Sequence, residues 1–113
     1  MQPPPLHRAH AVLDALGNQT RRDILSLLTG GPLAVGAIAA RLPVSRPAVS
    51  KHLRVLQEAG LVDYNARGRR NVFFLQPGGF RQAQVYLQQF WDVALSNFRD
   101  IAEGDIAAGD QDE

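Results

Sequence analysis

The sequence predicts a mainly α domain carrying a two-stranded β ribbon, and three observations support this. Apolar residues recur at helical spacing through most of the chain. Two short runs rich in Val, Phe, Tyr and Leu flank a glycine set among arginines, the pattern of a hairpin. Glycine and proline punctuate the chain wherever one periodic segment stops and another begins. With 113 residues, 45% of them hydrophobic, there is material for one core and hence one domain. A monomer of that size is marginally stable, so burial of further surface against a partner is expected.

The elements follow in order. After Pro3, Pro4 and Pro5, a run that cannot lie inside a helix, Ala9, Val12, Leu13 and Leu16 share one helical face, so a first helix runs from about Leu6 to Leu16. Gly17 ends it. Asn18 has the acceptor needed to cap a second helix carrying Ile24, Leu25, Leu27 and Leu28, which Gly30, Gly31 and Pro32 terminate. Val35, Ile38, Ala39 and Leu42 mark a short third helix closed by Pro43, and a tight turn to Ser45 follows. Ser45 caps a fourth helix, tolerating Pro47 in its first turn and ending near Ala59 before Gly60. Leu61 to Ala66 and Asn71 to Gln76 read as strands, with Arg67, Gly68, Arg69 and Arg70 as a four-residue loop between them. From about Gly79 a long last helix carries Phe80, Ala83, Leu87, Phe90, Trp91, Ala94, Leu95, Phe98 and Ile101.

Composition excludes several classes of function. The absence of cysteine removes disulfides, thiolate metal sites and thiol redox sensing. No secretory signal or apolar run long enough for a membrane span is visible, so a soluble cytoplasmic protein is expected. The net charge of +1 hides a strong segregation. Between Arg41 and Arg81 eight basic residues face only Glu58 and Asp63, whereas the last fourteen residues hold Asp100, Glu103, Asp105, Asp110, Asp112 and Glu113 and no Lys or Arg. We therefore expect one domain over residues 1–104 and a disordered acidic tail over 105–113.

Two short helices joined by a tight turn, then a hairpin, is the order of a winged helix-turn-helix, in which the fourth helix reads DNA. Val49, Leu53 and Leu56 fall at i, i+4 and i+7 and point to the core, leaving Arg46, Pro47, Ser50, Lys51 and Arg54 on the solvent side. With Ser45 these form the candidate DNA-binding set. The amino-terminal members suit base edges in a major groove, while Lys51 and Arg54 can also neutralise phosphates. Arg67, Arg69 and Arg70 place a second cationic element where a wing meets the backbone or a minor groove.

From Leu13 to Leu75 the chain resembles the ArsR/SmtB family of bacterial winged-helix repressors, in LGNQTRRDILSLL, in PLAVGAIAARLPVSRPAVSKHLRVLQEAGLV and in the Arg-Gly-Arg-Arg wing. That resemblance implies a dimer made by the first and last helices, with the fourth helix in the major groove. It does not extend to the family's metal sites. Where thiolate members have a Cys-x-Cys pair, this chain has Ala34 and Gly36, and its last helix contains no His between Phe80 and Glu103. Asp92 and Asp100 alone make a poor transition-metal site. The resemblance therefore points to the non-metal branch, with no metal or other cofactor.

His7 and His10, at i and i+3, could share an ion on a helix face but lack a third ligand. His52, beside the core row of the fourth helix, reads as a packed or backbone-bonded imidazole with a phosphate also within its reach. No nucleophile, phosphate loop or acid–base constellation suggests an enzyme. The last helix shows more apolar surface than a small domain covers, so Val12, Leu16, Leu87, Phe90, Trp91, Ala94 and Phe98 are expected at a two-fold dimer interface. The resulting expectation is a homodimeric regulator, a repressor, bound to an inverted repeat whose half-sites lie about one helical turn, ~10 base pairs, apart. The alternatives are a winged-helix protein-interaction module and a metal sensor using His7 and His10.

Overall fold

The computed structural model describes residues 5–104, with side chains from Arg8 onward. The acidic tail expected over 105–113 lies outside the described residues. Eight elements follow in order: α1 (Pro5–Leu16), α2 (Gln19–Leu28), β1 (Leu33–Ala34), α3 (Val35–Ala39), α4 (Arg46–Glu58), β2 (Val62–Arg67), β3 (Arg70–Leu75) and α5 (Pro77–Ala102). They fall into two units, residues 1–83 and 84–113.

The first unit holds the core. Val12 and Ala15 of α1, Ile24, Leu25 and Leu28 of α2, Ile38 of α3 and Val49, Leu53 and Leu56 of α4 meet Leu61, Val62, Phe73 and Ala83. Local chemistry sets the helix ends. Asn18 accepts from the Arg21 N–H at 3.0 Å, satisfying one orphan donor of α2. The Ser45 hydroxyl does the same for Ala48 of α4 at 3.2 Å, and Pro47 occupies the first turn, where no helical hydrogen bond is lost. Gly60 stops α4 with φ +78°, a conformation that penalises any side chain.

The sheet departs from expectation. It has three strands, in the order β1-β3-β2, because Leu33 and Ala34 pair antiparallel with Phe73 and Val72. Strand β1 is two residues long and has no sequence signal of its own; pairing with β3 creates it. The hairpin also zips further than expected. Arg67 pairs with Arg70 as the last rung, leaving Gly68 and Arg69 as a two-residue loop in place of a four-residue one. Gly68 has φ +64° and Arg69 does not have positive φ, as a type II′ turn requires. Helix α3 is shorter than the apolar pattern implied: it ends at Ala39, and Leu42 packs partly buried against the core from the following turn.

One dimerisation candidate is corrected. Val12 is 1% exposed and packs within the core of its own chain, so it has no surface to offer a partner. Leu16 is half-buried against the same core.

In the second unit, α5 continues from Gln84 to Ala102. Leu87, Phe90, Trp91, Ala94 and Phe98 are all exposed, as are Val85, Val93, Leu95 and Ile101. Trp91 is 61% and Phe98 69% exposed, within a run of large apolar side chains that face solvent. The Tyr86 and Phe90 rings pack edge to face at 5.1 Å, and Gln88 donates to the Asp92 carboxylate at 2.8 Å. Among the described residues no helix is long and apolar enough to cross a membrane.

Candidate nucleic-acid interface

Helix α4 presents two faces of opposite character. Val49, Leu53 and Leu56 are 0–1% exposed, which orients the helix about its axis. Arg46, Pro47, Ser50, Lys51 and Arg54 are consequently exposed, as the spacing predicted. Ser45 is exposed too, but its hydroxyl is engaged in capping, so it is less free as a contact than its position suggests.

The wing brings further cations alongside. Arg67, Arg69 and Arg70 are all exposed at the hairpin tip. Between wing and α4 lies an open cleft of about 320 Å³, lined by Arg46 and Ser50 from α4, Arg69, Arg70 and Asn71 from the wing, and Gly36 from α3. Three guanidiniums and no carboxylate line it, a surface suited to an anion such as a phosphate. A Cβ on Gly36 would lie 3.6 Å from Nη1 of Arg46, so the Arg46 guanidinium rests over α3 on the wing side of α4. Sequence reasoning placed Arg46 among the base-edge readers and did not identify Asn71, which β3 carries to this cleft opposite Ala66 of β2.

On the opposite flank of α4, His52 is half-buried, and its Nδ1 lies 3.4 Å from Nη1 of Arg21. Burial first, and the Arg21 charge second, push this imidazole below its ordinary value of 6.5. Arg21 also donates through Nε to the Ala15 carbonyl at 2.8 Å and through Nη2 to the Asp14 carbonyl at 3.3 Å. Arg22 donates to the Leu16 carbonyl at 2.8 Å. The two arginines thereby satisfy the last carbonyls of α1, a helix end with no basic residue of its own.

A larger cleft of about 450 Å³ lies between α1, the end of α4 and the start of α5. It combines Arg8 with Glu58 and two glutamines, and this balanced charge does not suit a polyanion. Among the described residues no group of three or more His, Cys, Asp or Glu side chains could hold a metal. The His7 side chain lies outside the described residues; His10 is exposed on α1.

Known proteins match this architecture. Residues 16–65 match the model of a helix-turn-helix domain. The chain is similar to the HTH-type transcriptional regulator Rv2034 of Mycobacterium tuberculosis, with 47% identity over 93 residues, covering 80% of this chain and 87% of that one. Among solved structures it is similar to an ArsR-like transcriptional regulator from Rhodococcus sp. RHA1, with TM-score 0.70 and 32% identity, covering 86% and 94% of the two chains. It is also similar to the homodimeric winged helix-turn-helix DNA-binding domain of a possible ArsR-family regulator from Mycobacterium bovis, with TM-score 0.62 and 28% identity, covering 84% of each chain. The relatives are regulators and not enzymes, in keeping with the lack of a catalytic constellation in the sequence. A capped helix with a cationic outer face, an arginine-tipped hairpin beside it and extended identity to a regulator together place the chain in the ArsR family of winged helix-turn-helix transcriptional regulators.

Proposed function

We propose that this regulator binds promoter DNA as a homodimer, with α4 in the major groove and the arginine-tipped wing on the flanking backbone or minor groove. The observation that carries the reading is the outward projection of Ser50, Lys51 and Arg54 from α4, beside a cleft lined by Arg46, Arg69 and Arg70. Phosphate contacts set orientation and affinity, and base contacts set sequence preference. Ser50, Lys51 and Arg54 are the candidates for base edges; Arg67, Arg69 and Arg70 neutralise phosphates.

Pairing of two copies is supported by the exposed aromatic residues of α5 and by the homodimeric relative. Leu87, Phe90, Trp91, Ala94 and Phe98, with the exposed rim of Leu16, are the proposed interface. A two-fold dimer places two reading helices about one helical turn apart, so the operator is an inverted repeat. A dimer seated across a promoter excludes polymerase by occupancy, which makes repression the expected sign of regulation.

The test is titration of the purified protein into labelled DNA from its own upstream region at two salt concentrations. Sub-micromolar, sequence-selective binding that weakens steeply with salt is the expected result. Equal affinity for all sequences, or none, overturns the reading in favour of a protein-interaction module. Substituting Ser50 by Ala flattens sequence preference more than it lowers overall binding.

A further inference from the structure

We propose that Arg21, outside the helix-turn-helix surface itself, is a positioning residue for the reading helix: from α2 it holds the His52 imidazole of α4 neutral, with its hydrogen on Nε2. The inference rests on α4 being the DNA-reading helix only for its functional consequence; the tautomer itself follows from the contacts.

The guanidinium of Arg21 is anchored from a third element. Its Nε and Nη2 are committed to the Ala15 and Asp14 carbonyls at the end of α1, and its backbone N–H to the Asn18 cap. That leaves Nη1 directed at His52 Nδ1, 3.4 Å away. Arginine has only donors and does not lose its proton in a protein. An Nδ1 lone pair is therefore the arrangement of the ring that Arg21 accepts. A hydrogen on Nδ1 would set N–H against N–H, and a fully protonated imidazole would set two cations at the same distance. At 3.4 Å the hydrogen bond is long, so this preference is chiefly electrostatic.

With Nδ1 held as an acceptor, the neutral ring carries its hydrogen on Nε2. Among the described residues no buried polar side-chain atom lacks a partner, and Nε2 has no partner of its own, so Nε2 reaches solvent. Of the charged side chains on α1, α2, α3 and the wing, Arg21 is the one that acts on the ring. Lys51 and Arg54 on α4 itself and Asp14 on α1 are exposed, Asp23 on α2 is half-buried, and burial and Arg21 are the causes that act on the ring. The reading helix thus carries an uncharged, solvent-facing donor on its α2 flank, suited to a phosphate oxygen, where an isolated histidine would alternate between neutral and charged near neutral pH. The device moves the pH dependence of that part of the DNA affinity to more acid values.

The test has one readout without DNA and one with it. In the full chain at pH 7, the nitrogen-15 spectrum of the His52 ring is expected to show Nδ1 unprotonated and Nε2 protonated; a hydrogen on Nδ1 overturns the proposal. Operator affinity is then measured at fixed salt at pH 8 and pH 6. Arg21→Met keeps the aliphatic stem and removes the charge, so its gain in affinity on acidification should exceed that of the natural chain about fivefold, the advantage of a charged over a neutral hydrogen bond. His52→Gln in the Arg21→Met background should abolish the excess, and His7 and His10 are common to all the chains compared. Identical pH profiles with and without Arg21 overturn the proposal. If Arg21→Met does not fold, the spectrum of the natural chain still decides the tautomer. A chain that binds no DNA at either pH sinks the DNA reading while leaving the tautomer to that same spectrum.

Discussion

The junction between α4 and α5 offers a sharp test of how tightly the first unit is built, because two adjacent glycines there face different neighbours. A Cβ on Gly79 would lie 2.4 Å from the Ala59 carbonyl oxygen and 2.9 Å from the carbonyl carbon and oxygen of Gly60. All three are backbone atoms, and the Gly79 N–H donates to the Gly60 carbonyl at 2.7 Å, so the approach cannot loosen without breaking that bond. A Cβ on Gly78 would meet the Gln76 side-chain oxygen at 3.1 Å, the end of a flexible chain. Gly79→Ala should cost about 1–3 kcal/mol for overpacking and about 1 kcal/mol for the strained or lost hydrogen bond. It regains about 1 kcal/mol of helix propensity, for a net loss of roughly 1–3 kcal/mol. Gly78→Ala gains the same propensity against the disturbed Gln76 cap on the Gly78 N–H, and should fall within roughly 0.5 kcal/mol of the natural chain. Urea denaturation at one fixed protein concentration separates them, since oligomerisation makes apparent stability concentration-dependent. In thermal melts the gap should amount to at least about 2 °C. Equal stabilities for the two variants, or a more stable Gly79→Ala, would refute the close approach of the α4 and α5 backbones.

Three further predictions are independent of that junction. Replacing Arg69 or Arg70 by Ala should lower the slope of log affinity against log salt by about 0.9 per phosphate contact, leaving the order of preferred DNA sequences unchanged; titrations at four salt concentrations read both quantities. Trp91→Arg puts a charge in the exposed aromatic patch of α5 and should halve the sedimenting mass while leaving the far-ultraviolet dichroism intact, because the core lies within residues 12–83. Stability should fall on acidification through His52: the unfolded ring takes a proton near its ordinary 6.5 before the folded ring does, so the unfolded state binds more protons below that pH. Above 6.5 the group contributes nothing. Urea midpoints at pH 8, 6.5 and 5.5 should therefore drop less for His52→Gln than for the natural chain.

Much of the fold was legible because its signals are local. Asn18 and Ser45 cap the helices they precede, since a side-chain acceptor needs only the next turn of its own backbone. The apolar row Val49, Leu53, Leu56 turned α4 to the expected side, and the exposed row followed from helical geometry. The reach of the hairpin was less legible. Arg67 and Arg70 carry no strand propensity that a run of loop-like residues would reveal, and they pair because a type II′ turn at Gly68 extends the ladder by one rung.

The succession of helices, the cationic outer face of α4 and the arginine-tipped hairpin after it were determined by the sequence alone, because spacing, capping and turn chemistry act within a few residues of the chain. Only the tertiary structure decided that Leu33 and Ala34 form a third strand, that Val12 belongs to the core of its own chain, that Arg46 lies over Gly36 towards the wing, and that Arg21 meets His52. Each of these joins segments far apart in the chain, and such pairings depend on how already formed elements pack, which no local pattern encodes.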